Sequence, residues 1–125
     1  MKIKKLWNCP NDLNSEAEKF YYRVGAKLVR SGVLDDLDYD LFVSLCRISA
    51  VLKAAEDILL KDGFVIDGGR NVQKKHPIFQ IYRDLYANYL KLSNLFGLTP
   101  ASRNEKFIMT EQPKDKKIER FFKVA

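Results

Sequence analysis

The chain has 125 residues, of which 46% are hydrophobic and 30% are charged, and its formal net charge is +6. This length suits one hydrophobic core rather than two, and this composition excludes a disordered chain. No segment reaches the roughly 18 consecutive apolar residues that a membrane-spanning helix needs, and the amino-terminal segment lacks the long apolar region of a signal peptide, so we expect a cytosolic protein.

The positive charge is distributed unevenly along the chain. Residues 1–14 carry a net charge of +2, residues 15–63 of −2, residues 64–109 of +4 and residues 110–125 of +2. A polyanionic partner would therefore meet the two ends of the chain and the part that follows Gly63. The alternative is that the lysines and arginines only keep the protein in solution.

The first predicted helix covers residues 16–31 and follows a basic amino-terminal arm, residues 1–14. Ser15 and Glu18 have the spacing of a capping box, in which each side chain accepts a backbone amide hydrogen bond. Gly32 can adopt the left-handed conformation that ends a helix. Between these signals, apolar residues recur at helical spacing: Phe20, Tyr21, Val24, Leu28 and Val29.

The second predicted helix is the longest, and Asp35 is expected to cap it while Gly63 ends it. Its apolar stripe is widened beyond a single face by additional residues: Phe42, Val51, Ile58 and Leu60. A small domain can cover only part of so wide a surface. We therefore predict that this helix takes part in a subunit interface, with Phe42 as a candidate contact.

The segment "FVIDGGRNVQKK" breaks the helical period and predicts a two-stranded β-hairpin. Residues 67–69, Asp-Gly-Gly, suit the positive φ angles of a tight turn. A hairpin alone is marginally stable in water, so it needs support from the helices or from a neighbouring subunit. The strands are expected to bring Arg70, Lys74 and Lys75 close together.

A third helix is predicted from Pro77, whose missing amide is not needed in a first helical turn, to a stop at Gly97. Its expected core stripe consists of Ile78, Ile81, Leu85, Leu92 and Leu95. A second stripe contains Tyr82, Tyr86 and Tyr89. These tyrosines could stack on nucleic-acid bases, but tyrosines at this spacing more often line a helix–helix contact. We therefore predict that they belong to the subunit interface.

The segment "GLTPASR" predicts an abrupt corner after the third helix. Gly97 ends that helix, and Thr99 caps a new turn whose first residue is Pro100. A short fourth helical segment follows. Its residue Arg103 either has a structural role or binds phosphate.

The helical domain is expected to cover residues 15–109, and residues 110–125 form a charged tail. Three apolar residues lie near the end of this tail: Ile118, Phe121 and Phe122. Such a segment either folds on a partner or is a frayed end.

No pattern of a known catalytic or metal site occurs in the sequence. His76, the single histidine, has no motif that would supply a nucleophile or an orienting group, so we expect a capping or surface residue. Cys9 and Cys46 lack the paired Cys/His spacing of a zinc site, and Cys46 is expected to be a buried thiol. The dipole and capping needs of the second helix explain its acidic start better than a metal does: Asp35, Asp36, Asp38 and Asp40. The sequence predicts a non-enzyme without metal or cofactor.

Together these elements predict a mainly α fold, a small domain of three to four helices with a short β-hairpin between the second and third helices, which assembles into an oligomer. Five segments in chain order also carry a resemblance to a known family: "LVRSGVL", "DDLDYDLFVSLCRISAVLKAAEDIL", "KDGFV", "KKHPIFQI" and "LFGLTPASR". They resemble the helical small-subunit family of phage terminase, the DNA-packaging complex of tailed bacteriophages. The resemblance covers roughly residues 13–107, and "GLTPASR" is its most specific motif.

The resemblance implies a protein that forms a ring, engages double-stranded viral DNA where packaging starts, and delivers it to the terminase large subunit. The large subunit holds the ATPase and nuclease, and the small subunit performs no chemistry. The protein would be encoded by a phage or prophage and act in the cytoplasm of the bacterial host, without a membrane partner. The "GLTPASR" corner would orient the fourth segment against a neighbouring subunit or toward the large subunit.

For the DNA surface we predict backbone contacts from the hairpin and from a flexible arm: Arg70, Lys74, Lys75, Lys2, Lys4 and Lys5. About six phosphate contacts would give a log–log salt slope of about −5. A helix-turn-helix around "RSGVLDD" is the alternative, although phosphate would repel the acidic start of its second helix. For the large subunit we predict docking through the tail residues Ile118, Arg120, Phe121 and Phe122.

Two other classes of function stay open. One is a helical protein-interaction module without DNA affinity, and the other is a helix-turn-helix transcriptional regulator. The size of the assembly separates them, because a large closed oligomer favours a packaging subunit, a dimer favours a regulator, and a monomer agrees with neither.

Overall fold

The computed structural model describes residues 1–103. The chain divides into two compact units, Met1–Leu92 and a second unit that begins at Ser93. Within the described residues the fold is mainly helical, with a hairpin between the second and third helices, which confirms the predicted fold class. The elements are α1 (Ser15–Arg30), a 3₁₀ turn (Asp36–Asp38), α2 (Tyr39–Asp62), β1 (Val65–Asp67), β2 (Gln73–Lys75), α3 (Pro77–Leu95) and α4 (Pro100–Arg103).

Asn14, and not Ser15, caps α1. The Asn14 backbone is extended, with φ −73° and ψ 174°, and its Oδ1 atom accepts a hydrogen bond from the Ala17 amide at 2.9 Å. Ser15 is already the first helical residue, so the predicted capping box of Ser15 and Glu18 is wrong. The two candidates are adjacent and both suit a cap, and the backbone conformation decides between them. At the other end Gly32 has a φ of +68°, as predicted.

The amino-terminal arm is docked on the helices. The Ile3 amide donates a hydrogen bond to the Leu34 carbonyl at 2.9 Å, in the loop between α1 and α2. Leu6 lies so close to Gly25 that a Cβ atom on this glycine would be 2.8 Å from the Leu6 side chain. The arm that we expected to be flexible is therefore a packed segment, because its backbone and its apolar side chains find partners on the helical pair.

The core of the first unit lies between the arm, α1 and the first half of α2. Tyr21 and Phe42 are both completely buried, and their ring centroids are 5.4 Å apart. The Tyr21 hydroxyl donates a 2.6 Å hydrogen bond to the Trp7 carbonyl, and the Trp7 ring contacts Tyr39 edge-on. Buried aromatic rings contribute large apolar areas, and a buried phenol needs a hydrogen-bond partner. This cluster therefore fixes the arm to both helices.

The long helix α2 buries two faces. Phe42, Cys46 and Ala50 recur every four residues on the first face. The second face starts at Leu45 and continues through Leu52 to Leu59, since a step of seven residues returns to nearly the same side of a helix. These two faces account for much of the wide apolar pattern in the sequence. Four large apolar side chains of α2 stay exposed: Leu41, Val51, Ile58 and Leu60.

The hairpin is antiparallel and pairs Val65 with Lys75. The chain reverses in a tight turn over residues 69–72, where the Val72 amide donates a hydrogen bond to the Gly69 carbonyl at 2.9 Å, next to the 2.6 Å bond from the Gly68 amide to the Val72 carbonyl. The two central residues, Arg70 and Asn71, both have positive φ angles. The hairpin and its tight turn were thus predicted, but the turn lies after residues 67–69 and not on them.

The third helix, α3, is poorly covered in the single chain. No side chain from Pro77 to Leu92 is fully buried. Ile81 and Leu95 are each 52% exposed, so the prediction that they belong to a core stripe is wrong for one copy of the chain. For Ile81 the reason is that the other elements of Met1–Leu92 leave its side of α3 only partly covered.

His76 fixes the start of α3. Its Nδ1 atom accepts a hydrogen bond from the Ile78 amide at 3.1 Å, and its Nε2 atom lies 3.0 Å from a carboxylate oxygen of Asp62 at the end of α2. Because Nδ1 accepts, Nε2 carries the proton that is donated to Asp62. The histidine therefore has the capping role that the sequence predicted.

In the second unit, the corner forms as the sequence predicted. Gly97 has a φ of +70°, and the Thr99 hydroxyl accepts the Ser102 amide at 3.2 Å, which caps α4. The Arg103 guanidinium donates to the Gly97 carbonyl at 3.3 Å. Arg103 therefore closes the corner internally, which supports its structural role over phosphate binding.

Candidate nucleic-acid interface

The three basic residues predicted on the hairpin are all exposed. Arg70 lies in the loop, where its φ is 51°. Lys74 and Lys75 are consecutive in β2, so their side chains leave opposite faces of the hairpin. The Lys75 ammonium lies 5.9 Å from the centre of the Phe79 ring. The structure therefore brings the three cations onto one element, but not onto one face.

The three lysines of the arm are exposed as well. The Lys2 ammonium donates a 3.0 Å hydrogen bond to the Val33 carbonyl, which holds it against the loop between α1 and α2. Lys4 and Lys5 have no hydrogen bond or ion pair with any other described residue. The docked arm thus presents two unpaired lysine side chains from a backbone that is held against the helices.

The loop before α2 is acidic, and its carboxylates serve the backbone. Asp35 accepts the Leu37 amide at 3.1 Å, and Asp38 accepts the Asp35 amide at 2.9 Å, which forms a capping box. The hydrogen bond from the Met1 amine, with further bonds, holds the pKa of Asp35 well below its usual range. A recognition helix that started here would meet phosphate with carboxylates, so the structure gives no support to the helix-turn-helix alternative.

Four cations on α1 were not identified from the sequence as candidate site residues. Lys19, Arg23, Lys27 and Arg30 are all exposed and recur at intervals of four, four and three residues. These intervals place them along one face of the helix, and we call them the α1 basic row. Counting net charge over residues 15–63 concealed the row, because acidic residues elsewhere in that block outweigh it. Reading the charges at the helical period would have found it.

An open groove of about 1030 Å³ lies beside the α1 basic row, between α1, α2 and α3. Its lining combines acids, bases and tyrosines, among them Glu16, Lys19, Lys53, Glu56 and Tyr86.

No group of three metal-ligating side chains occurs in residues 1–103. In that same part of the chain, no helix is both long and apolar enough to cross a membrane.

The tyrosines of α3 and Phe42 occupy different environments. Tyr82 donates a 3.0 Å hydrogen bond to Glu56 of α2, and burial raises its pKa. Tyr89 contacts Phe20 of α1 edge-on at 6.4 Å. Tyr86 is 43% exposed, whereas Phe42 has no exposed surface. Of these four candidates for a subunit interface, Tyr86 is the most exposed tyrosine, and Phe42 lies in the core of the single chain.

The candidates for large-subunit docking lie outside the described residues: Ile118, Arg120, Phe121 and Phe122.

Comparison with known proteins gives one decisive result. The family model described as phage terminase, small subunit, matches residues 17–113, which is more than half of the chain. The matched range starts within α1 and includes α2, the hairpin, α3 and α4. No curated protein and no solved structure matches the chain.

Proposed function

This chain belongs to the phage terminase small-subunit family, and from that premise we propose that it is the non-catalytic, oligomeric, DNA-binding component of the packaging complex. The family gives the chain a role in phage DNA packaging. In this role it binds double-stranded viral DNA and delivers it to the terminase large subunit, in the cytoplasm of the bacterial host. It needs no cofactor for this task.

The observation that carries the oligomeric part of the proposal is the exposure of apolar side chains on the hairpin and α3. Proteins that work as monomers rarely expose large apolar patches. We call the following residues the hairpin–α3 surface, each between 41% and 57% exposed: Phe64, Val65, Val72, Ile81, Tyr86 and Leu90. This surface extends around α3, because Ile81 and Leu90 lie about 180° apart on the helix, so covering all of it takes more than one neighbouring copy. Contact with further copies of the chain would bury this surface and complete the packing of α3.

Oligomerisation also supports DNA binding. A single chain with a net charge of +6 attracts DNA only weakly at physiological salt. In a closed assembly the phosphate contacts of all copies act together, so that many weak contacts give a high overall affinity.

The mass of the purified assembly, measured by light scattering with and without a duplex DNA fragment, tests the proposal. We expect a large closed oligomer whose mass increases when DNA is added. A single chain at high concentration would contradict the oligomeric proposal. A dimer would favour a transcriptional regulator, and an oligomer without DNA affinity would favour a protein-interaction module.

The hairpin cations are the DNA contacts predicted from the sequence, together with the arm lysines. Reversing the charge of Arg70, Lys74 and Lys75 should weaken binding across unrelated DNA sequences, because such contacts read phosphate and not bases. Equal affinity of the variant and the wild type would remove the hairpin from the interface.

For the large subunit, we propose docking through the tail as a short amphipathic helix. Replacing Ile118, Phe121 and Phe122 with serine should abolish capture of the large subunit in a pull-down. The matched control replaces Lys114, Lys116 and Lys117 with serine and should leave capture intact. Undiminished capture by the first variant would eliminate this docking site.

A further inference from the structure

The α1 basic row is an ordered array of positive charge on one rigid helix. From Lys19 to Arg30 it extends over about 16 Å, at a rise of 1.5 Å per residue. The other side of α1 is packed into the core through Ala17, Tyr21 and Leu28. The spacing of the four cations is therefore fixed by the helix and not by a loop.

The fold itself does not require this row. Like charges four residues apart weaken a helix, and the row contains two such pairs, Lys19 with Arg23 and Arg23 with Lys27. The helix dipole favours Lys27 and Arg30, which lie in the last turn of α1. It gives no such account of Lys19, which lies in the second turn, or of Arg23, which lies near the middle of the helix.

Carboxylates leave most of the row unneutralised. None of the ion pairs within residues 1–103 involves Arg23, Lys27 or Arg30. Lys19 lies 3.9 Å from Glu16, but both side chains are mostly exposed, and such pairs are weak. The Arg23 guanidinium lies 5.8 Å from the centre of the Phe20 ring, a contact that positions the charge without cancelling it.

We propose that the α1 basic row binds the phosphate backbone of duplex DNA, as a site additional to the hairpin. This inference rests on the proposed function, which supplies the duplex as partner. The phosphates of each strand wind around the duplex axis at one per 3.4 Å of that axis, so a straight row of this length can contact only a few of them at once. Contacts to phosphate carry no sequence information, so this row should bind unrelated duplexes with similar affinity.

The test compares two triple variants that remove the same charge from different places. The first replaces Lys19, Arg23 and Lys27 with alanine, which preserves helix propensity. The control replaces three exposed cations of α2 and α3 with alanine: Lys61, Arg83 and Lys91. Affinity for a random-sequence duplex is measured from 50 to 300 mM salt, with light scattering and circular dichroism to verify assembly and folding. A third variant exchanges Lys and Arg at the three α1 positions and keeps the charge.

We expect the α1 variant to bind about tenfold or more weakly at 0.1 M salt, with the log–log salt slope reduced by about 2 to 3, since each phosphate contact contributes about 0.9. The control and the charge-preserving variant should bind like the wild type. Equal weakening of the α1 variant and the control would show an effect of net charge only and would overturn the inference, as would unchanged binding by the α1 variant. If the wild type itself did not bind duplex DNA at 50 mM salt, the proposed function would fail first.

Discussion

The two parts of the first unit, residues 1–62 and residues 63–92, differ in how completely their apolar side chains are buried. All hydrophobic residues of this unit that are fully buried lie between Leu13 and Leu59, in the arm, α1, α2 and the loops between them. The hairpin and α3 carry phenylalanine, isoleucine, leucine and tyrosine as well, but none of these side chains is fully buried. The first part is thus a folded core in its own right, and the second part has the composition of a core without the covering. We infer that the second part obtains its covering from other copies of the chain.

The largest expected effect comes from the buried member of a matched phenylalanine pair. Phe42 is completely buried and Phe64 is 52% exposed. Replacing Phe42 with alanine should lower the free energy of unfolding by about 3–5 kcal/mol because it opens a cavity in the core. Replacing Phe64 with alanine should lower it by less than about 1.5 kcal/mol, mainly through the lost ring contact with Phe79. Urea denaturation of both variants, at a dilution where light scattering finds single chains, measures the difference, and equal losses would remove the contrast between the two parts.

A charge placed on the hairpin–α3 surface should break the assembly without unfolding the chain. Changing Ile81 to glutamate puts an unpaired carboxylate where we propose that a second copy packs, and burying it is unfavourable. We expect the association constant to fall by roughly 100-fold, about 2.7 kcal/mol, with the helix content unchanged. Changing Ala26 to glutamate, an exposed position on α1 outside this surface, is the control. Light scattering across a dilution series measures both, and an intact assembly of the Ile81 variant would exclude this surface as the interface.

The hydrogen bond that fixes the arm should contribute a smaller amount. Replacing Tyr21 with phenylalanine leaves the Trp7 carbonyl without its donor and should cost about 1–2 kcal/mol. Burial raises the pKa of Tyr21 to about 12. Because the pKa of Tyr21 is higher in the folded chain than in the unfolded chain, the contribution of Tyr21 to the free energy of unfolding is complete below about pH 10, the usual pKa of tyrosine. This contribution is lost as the pH rises toward about 12.

The stability of the wild type and the Tyr21→Phe variant, measured by urea denaturation from pH 8 to pH 11.5, checks this sign. The difference between the two proteins should shrink as the pH rises. A constant difference over this range would mean that Tyr21 titrates alike in the folded and unfolded chain.

The smallest expected effect separates the two candidates for the cap of α1. Replacing Asn14 with alanine removes the acceptor of the Ala17 amide and should cost about 1 kcal/mol. Replacing Ser15 with alanine should change the stability by less than about 0.5 kcal/mol, since its hydroxyl is exposed in the first helical turn. Thermal unfolding of both variants measures this. The reverse order would restore the capping box that the sequence favoured.

The errors of the sequence-based predictions have physical causes of their own. Asn14 and Ser15 are both good caps, so propensity could not choose between neighbours. The hairpin turn was predicted too early in the chain because glycine favours positive φ, whereas Arg70 and Asn71 adopt the positive φ angles at the centre of the turn. The α1 basic row was missed because the net charge was summed over residues 15–63, and the positions of the charges were not compared with the helical period. Whether it belongs to the DNA site is a question for the paired alanine variants.

The sequence by itself determined the features that depend on neighbouring residues. These are the three long helices, the hairpin between the second and third, and the helix ends at Gly32, Gly63 and Gly97, because φ preference and capping act over only a few residues. The tertiary structure decided which apolar faces are covered. Phe42 is in a core and Ile81 is not, although both lie on apolar helical stripes, because burial depends on what the rest of the chain brings opposite each face. The docking of the arm was decided in the same way, through contacts with residues far away in the sequence.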